Sequence, residues 1–323
     1  MGLSIEERSF ALQKVAESLK GVEGRFLIVN DRSYAFDFLD GEWWNRFSIR
    51  ENDGQVLPEG TFDHILLRID INKDVMRHLA MICNSLANSE TKIWLVGGND
   101  EGIKSIASTL EGIFTSFNTV VIKQRSRLIS AKITENAEAV VPLGKLPIEL
   151  YEHKMDWTVS PSAFAKGKLD KGTALLLQYL QENPLKRSLQ LADFAAGTGV
   201  LTWGLKHLYP EADIDGLEAD SWALEAAKQN VSGIQWLLSD GWTKMPKDRR
   251  YDLIVSNPPV HFGKEFDLSI LEGLLGGAKA RMHRRGHMLV VLQSHIALTR
   301  LISKSKTEIL VEKSGYRVWK VRP

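Results

Sequence analysis

The amino-acid sequence predicts an α/β protein of two tandem domains, each built round a mostly parallel sheet, with an antiparallel hairpin at the end of the second. Three observations carry that expectation. At 323 residues the chain exceeds the usual reach of one hydrophobic core. Short apolar runs alternate with helix-length segments along its length, the pattern of strand and helix units that pair in parallel. Segments of the first half recur in the second at a nearly constant offset, which an old duplication leaves behind.

Composition narrows the class. With 44% hydrophobic and 25% charged residues the chain is that of an ordinary folded protein, not of a disordered or fibrous one. No apolar stretch reaches the roughly 18 to 20 residues that a membrane helix needs. The opening residues lack the order of a signal peptide, and Glu6 stands where a myristoylation motif wants Ser or Thr. A cytoplasmic location without membrane association is therefore expected. The single cysteine, Cys83, excludes an internal disulfide and a cysteine-built metal site, and is expected in the core; no metal is expected. The net charge is +1, but residues 1–150 hold 17 Lys and Arg against 21 Asp and Glu, and the remainder 24 against 19. The second half is the mildly basic one.

In the first half, the short apolar runs 26–29, 65–67 and 93–96 predict strands, and helices are expected over 71–88 and 102–114. Residues 140–147 contain two prolines and a glycine, which predicts a linker. The boundary is set near 150, giving domains 1–150 and 151–323. Beyond it, strands are predicted at 189–194, 214–218, 234–238, 253–255 and 288–292, with helices including 201–208 and 221–229. Residues 308–312 and 316–321 flank Gly315 and predict the closing hairpin. Phe62-Asp63 leading into 64–67 resembles Tyr251-Asp252 leading into 253–255; 92–96 resembles 287–291, and 127–131 resembles 316–320, each at a separation of about 190 residues.

The chemistry gathers at the predicted strand ends. Segment 189–201 is an apolar strand ending in Asp193, a loop of small residues from Ala195 through Gly197 to Gly199, and the start of a helix. Such a loop lets the backbone approach a nucleotide-like ligand at a helix N-terminus. The next strand ends in Glu218, where a carboxylate can hold ribose hydroxyls, and the third ends at Asp240, an acceptor for an adenine amino group. After the fourth comes Asn257-Pro258-Pro259-Val260-His261-Phe262. An amide-like amino nitrogen is a poor nucleophile because its lone pair is delocalised. Asn257 Oδ1 and the Pro258 carbonyl, held by proline rigidity, can accept both of its N–H hydrogens. That fixes the nitrogen towards a methyl donor and stabilises the positive charge developing on it.

In their order, these features resemble class I S-adenosylmethionine (AdoMet)-dependent N-methyltransferases. More closely, Asn257-Pro258-Pro259-Val260-His261 and the upstream run from Phe164 through Asp170-Lys171-Gly172-Thr173 to Leu177 resemble the bacterial rRNA guanine-N2 methyltransferases of the RsmC and RlmG type. The resemblance implies two Rossmann-like methyltransferase domains. The first, without a glycine loop after 29–31 or an Asn-Pro-Pro after 65–68, is degenerate and serves substrate binding or stability. It further implies AdoMet as cofactor, covered by Phe164, Asp170 and Gly172. Asp193, Ala195, Gly197 and Gly199 lie at its methionine end, Glu218 at ribose, Asp240 at adenine and Asn257 beside it. Asn257, Pro258, Pro259 and His261 form the catalytic set, and Val260 and Phe262 meet the base; Arg284 and Arg285, in a basic cluster with Lys279 and Arg281 ahead of the fifth strand, are substrate contacts suited to RNA phosphate.

The implied reaction makes N2-methylguanine in small-subunit (16S) rRNA, with ribosomal RNA or the small subunit as partner and a monomeric enzyme. Two departures stand out: Ala195 replaces the usual first glycine, where a positive φ would be strained, and Val260 replaces the aromatic residue that stacks on the base. Large-subunit guanine, adenine N6 and protein glutamine are alternative substrates of the same chemistry. A non-catalytic RNA-binding or assembly protein is the alternative of another class.

Overall fold

A computed structural model describes residues 5–48, 56–134, 143–162, 169–185, 189–262, 265–266, 268–302 and 306–322. The chain divides into two compact units, Met1–Pro142 and Leu143–Pro323.

The first unit contains α1 (Ile5–Ala16), β1 (Phe26–Val29), β2 (Glu42–Trp44), β3 (His64–Arg68), α2 (Lys73–Ser85), β4 (Lys92–Gly98), α3 (Ile106–Thr109), β5 (Phe114–Lys123) and β6 (Ser126–Ile133). Its six-stranded sheet has the order β2-β1-β3-β4-β6-β5. β1 to β4 pair in parallel and β5 and β6 antiparallel. All four residues of β1 are buried, as a parallel strand covered on both faces requires. α2 is capped by Asn72, whose side chain accepts the N–H groups of Asp74 and Val75, and it buries Val75, Met76, Leu79 and Cys83. Burial holds the Cys83 thiol well above its usual range. The helix expected over 102–114 is a single turn instead. Ser105, Ser108 and Thr109 turn their hydroxyls onto the carbonyls of Gly102 and Ser105, and such local bonds compete with helix propagation.

The second unit opens with a hairpin, β7 (Gly144–Leu150) and β8 (His153–Val159), where the sequence predicted a linker. Pro147 is tolerated because the two-stranded hairpin leaves it at an edge. Then follow α4 (Lys171–Glu182), β9 (Gln190–Phe194), α5 (Val200–Leu208), β10 (Asp213–Glu218), α6 (Ser221–Asn230), β11 (Gln235–Leu238) and β12 (Tyr251–Ser256). After the short pair β13 (His261–Phe262) and β14 (Glu265–Phe266) come α7 (Ser269–Ala278), β15 (Met282–Gln293), β16 (Thr307–Lys313) and β17 (Tyr316–Val321). The seven-stranded sheet runs β11-β10-β9-β12-β15-β17-β16; the last two strands form the expected antiparallel hairpin. One face packs against α4 and α5 through Leu176, Leu180, Leu201 and Leu205. The other packs against α7 through Leu271 and Leu274.

Six strands of the second sheet repeat the order of the first, with β11 added at one edge. β3, β4 and β6 occupy the places of β12, β15 and β17, so all three recurring segments stand at equivalent positions. Val29 pairs with Leu67 as Phe194 pairs with Ser256, which sets Arg68 in the place of Asn257. Arg68 is ion-paired with Glu101, and Glu101 in turn with Arg8 at 3.1 Å. The residue after the first strand is left-handed in both units, Asn30 at φ 64° and Ala195 at φ 59°.

No described helix is long and apolar enough to cross a membrane. Among the described residues no group of three or more His, Cys, Asp or Glu side chains could hold a metal ion.

Candidate active site at the carboxyl edge of the second sheet

β9, β10, β11 and β12 are parallel and end level with one another: Leu217 faces Phe194, Glu218 faces Leu238, and Ser256 faces Phe194. The expected cofactor and catalytic residues of these strands therefore meet at one sheet edge, where open α/β sheets bind ligands. Ser256 Oγ donates to the Phe194 carbonyl at 2.7 Å and ties the two central ends together.

From Phe194 the chain turns through three left-handed residues, Ala195 (φ 59°), Gly197 (φ 57°) and Gly199 (φ 88°), before α5 begins. The positive φ at Ala195 is the strained case, worth about 1 kcal/mol for a residue with a Cβ. The turn is braced from outside the sheet. Trp157 of β8 donates its indole N–H to Thr198 Oγ1 at 3.0 Å. Asn230 Nδ2 donates to the carbonyls of Thr158 (2.8 Å) and Thr198 (2.9 Å), while Asn230 Oδ1 accepts the Thr158 N–H at 2.8 Å. Sequence reasoning missed these braces, since neither residue belongs to a local motif.

Asp193, only 1% exposed, accepts the Thr202 hydroxyl on Oδ2 at 2.6 Å. Its other oxygen is buried with no partner among the described residues. Burial pushes its pKa up to about 7, with the Glu218 charge adding to the effect against the Thr202 bond. Glu218 accepts the N–H of Gly197 on Oε2 (2.7 Å) and those of Ala219 and Asp220 on Oε1 (both 2.9 Å). It too rises to about 7, chiefly by burial. Oε2, with one bond, keeps a lone pair for a further donor. Asp240 lies exposed at the end of β11. Asp220 caps α6 and accepts the Ser162 hydroxyl at 2.6 Å.

Asn257 is fixed by α4. Its Nδ2 donates to Asp170 Oδ2 at 2.7 Å and to Thr173 Oγ1 at 2.9 Å. Asp170 is the N-cap of α4 and also accepts the Thr173 N–H at 2.9 Å. A carboxylate only accepts, so the amide must present its NH2 to Asp170. Oδ1 is left facing away with no partner among the described residues. The Asp170 and Gly172 expected over the cofactor thus have local tasks: Asp170 orients Asn257, and Gly172 is buried where a Cβ would meet the Tyr316 ring at 3.0 Å. The Asp-Lys-Gly-Thr run carries an N-cap signature in the sequence; its reach to Asn257 is tertiary.

Three expected substrate contacts need restating: Val260, Arg284 and Arg285. Val260 is 6% exposed and packs in the core beside Phe194 and Leu271, away from any stacking position. Its apolar, branched side chain suits that core. Arg284 and Arg285 lie at the opposite edge: Tyr251 pairs with Met282 and Ser256 with Val290. They are separated from Asn257 by about 20 Å of strand and do not reach a base held there. His261 and Phe262 form β13, paired antiparallel with β14; their side chains, like the whole of Phe164, lie outside the described residues. Trp222, 2% exposed, and half-buried Trp242, on Phe194 at 4.8 Å between ring centres, are packing residues.

A glycine-loop turn, a row of carboxylates and a clamped Asn-Pro-Pro on a seven-stranded, mostly parallel sheet define a Rossmann-like methyltransferase. Residues 154–320 match the family described as "Methyltransferase small domain" and residues 38–142 its N-terminal counterpart. The chain belongs to this methyltransferase family. It is 29% identical over 287 residues to the ribosomal RNA small subunit methyltransferase C of Pseudomonas entomophila, covering 85% of this chain and 84% of that one. Its identity to the Acinetobacter baylyi protein of the same name is 25% over 308 residues, covering 88% and 86%. The solved T. thermophilus 16S rRNA N2 G1207 methyltransferase (RsmC), in complex with AdoMet and guanosine, superposes with a TM-score of 0.84 at 18% identity, covering 96% of this chain and 91% of that one.

Proposed function

We propose that this protein methylates the exocyclic N2 amine of a guanine in small-subunit ribosomal RNA, with AdoMet as methyl donor. The observation that carries the reading is the orientation of Asn257. With Nδ2 consumed by Asp170 and Thr173, Oδ1 is left as an acceptor, as an amino-group substrate requires. The curated relatives and the solved T. thermophilus protein, all named for small-subunit rRNA, support RNA guanine as that substrate.

The edge suits the cofactor. AdoMet is a cation at its sulfonium and ammonium groups, and the edge presents the carboxylates of Asp193, Glu218 and Asp240. The unpartnered Asp193 Oδ1 accepts an ammonium N–H, and the spare lone pair of Glu218 accepts a ribose hydroxyl. When bound, AdoMet supplies an electrophilic methyl group. The chain does the rest: Asn257 Oδ1 and the Pro258 carbonyl take the two N–H hydrogens and point the nitrogen lone pair at the methyl. As positive charge develops on nitrogen, those two dipoles stabilise it. The methylated ammonium is strongly acidic and releases its proton without a dedicated base. A guanine inside a helix cannot reach Asn257, so the target base is extruded.

We further propose that the protein acts as a cytoplasmic monomer, with the first unit serving RNA binding or stability. The test is transfer of labelled methyl from AdoMet to undermethylated small subunits and to naked 16S rRNA, followed by digestion to nucleosides. Label in N2-methylguanine, reduced at least about 100-fold in Asn257→Ala, is expected. Label in another nucleoside or in protein overturns the substrate, and failure to bind AdoMet overturns the activity.

A further inference from the structure

The amino edge of the second sheet is the chemical opposite of its carboxyl edge. β15 leaves β12 at Met282, and around its first residues lies a cavity of about 590 Å³ lined by Lys279, Arg284, Arg285, His287, Lys320 and Arg322. Among the described residues no carboxylate lines it. The register explains the convergence. Met288 pairs with Val321 and Leu289 with Lys320, so Arg322 stands opposite His287, and directly opposed residues share a sheet face. The register of β15 against β12 breaks between Met282 and His287, and Arg284 and Arg285, within that irregularity, line the same cavity.

These cations are unspent. None of the five Lys and Arg side chains makes an ion pair among the described residues. At the same sheet edge Arg249, by contrast, is locked on Asp215 at 2.7 Å and Asp213 at 2.7 Å. The field they create is legible on a neighbour: half-buried His287 is driven down to about 4, first by burial and then by Lys320 and Arg322. Five like charges kept together without an ion pair among the described residues cost stability. The acidic carboxyl edge meanwhile repels a polyanion, so an RNA whose base sits at Asn257 needs its phosphates held elsewhere.

We propose that this cavity binds phosphodiester groups of the substrate RNA, anchoring the strand about 20 Å from the reacting base. The proposal rests on RNA being the substrate, and its test reads binding separately from chemistry. A fluorescein-labelled 16S rRNA fragment is titrated by anisotropy over a salt series with the full chain, Arg284→Gln/Arg285→Gln, Lys320→Gln/Arg322→Gln, and Lys313→Gln as a surface control. Methyl transfer to undermethylated small subunits is measured in parallel, and AdoMet binding confirms that each variant is folded.

Each cavity pair is expected to raise the RNA Kd at least about fivefold and to flatten the log Kd against log salt slope by about one to two. KM for subunits should rise while kcat and AdoMet affinity hold. Arginine-to-lysine versions, which keep the charge, should retain most of the binding. Cavity variants that match Lys313→Gln in affinity and slope overturn the proposal. So does a cavity that takes inorganic phosphate at matched ionic strength while its loss leaves rRNA affinity unchanged. A wild-type chain that binds rRNA but transfers no methyl sinks the substrate reading alone, the cavity still being judged by the binding slopes.

Discussion

The carboxylate of Asp170 lies 2.7 Å from Asn257 Nδ2 across 87 residues of sequence, and it decides which way round the Asn257 amide is held. Thr173, on the same helical turn, can donate or accept and would tolerate either orientation. Asp170 cannot. Replacing it by Asn leaves an N-cap of equal quality but removes the acceptor-only partner. Asp170→Asn is expected to keep its thermal midpoint and AdoMet affinity while kcat falls at least about tenfold. A variant that loses stability and turnover together, or neither, contradicts the positioning role.

Ala195 at φ 59° carries strain that glycine would not. Ala195→Gly removes the Cβ penalty but also adds freedom to the unfolded chain, and the strain is the larger effect at a left-handed position. The net gain should be about 0.5 kcal/mol, read as a rise of one or two degrees in thermal midpoint. A fall would mean that the turn is unstrained in solution.

Asp193 and Glu218 bind protons more tightly in the folded chain than in the unfolded one, both titrating near 7. Between their unfolded values, near 4, and 7, the folded state therefore holds the extra protons, and raising pH strips them. The cofactor-free protein should lose stability steadily over that window and then level off. On the proposed reading, in which an ionised Asp193 accepts the AdoMet ammonium, cofactor binding runs the other way: affinity should climb between about pH 6 and 8. Calorimetric titrations of wild type and Asp193→Asn compare the two slopes. An equally steep climb in the variant assigns the ionisation elsewhere.

Trp157 reaches the glycine turn from a hairpin outside the sheet, 3.0 Å from Thr198. Trp157→Phe keeps most of the buried ring and deletes one neutral hydrogen bond, worth about 1 kcal/mol. AdoMet Kd should rise several-fold with kcat at saturation little changed. Isothermal titration beside saturating kinetics measures both; a drop in kcat alone would place Trp157 nearer the chemistry than its contacts do.

Much of this was legible in the sequence, and the remainder has physical reasons for being hidden. The strands of both sheets announced themselves as short apolar runs, because parallel strands buried on both faces cannot afford polar alternation. Asp193, Glu218 and Asn257 could be placed because each ends such a run. The β7–β8 hairpin was hidden by Pro147, which breaks strand rules except at an edge. The hold of Asp170 on Asn257 and of Asn230 on Thr198 was hidden because each joins residues distant in sequence. Arg284 and Arg285 drew attention as a charge cluster close in sequence to the site; the direction of β15 carries them to the far edge.

Asn30 and Ala195 give the chain something like a pedigree. The first half has neither a glycine loop nor an Asn-Pro-Pro, yet its backbone makes the same left-handed bend on leaving its first strand. With neither motif beside it there, the bend goes with the path the chain takes out of the sheet in both halves. Different chemistry hangs on the same frame. Where the pairing register sets Arg68 in the place of Asn257, one half carries a guanidinium, which only donates hydrogen bonds, and the other an amide whose NH2 is held by Asp170 and Thr173, leaving its oxygen to accept them.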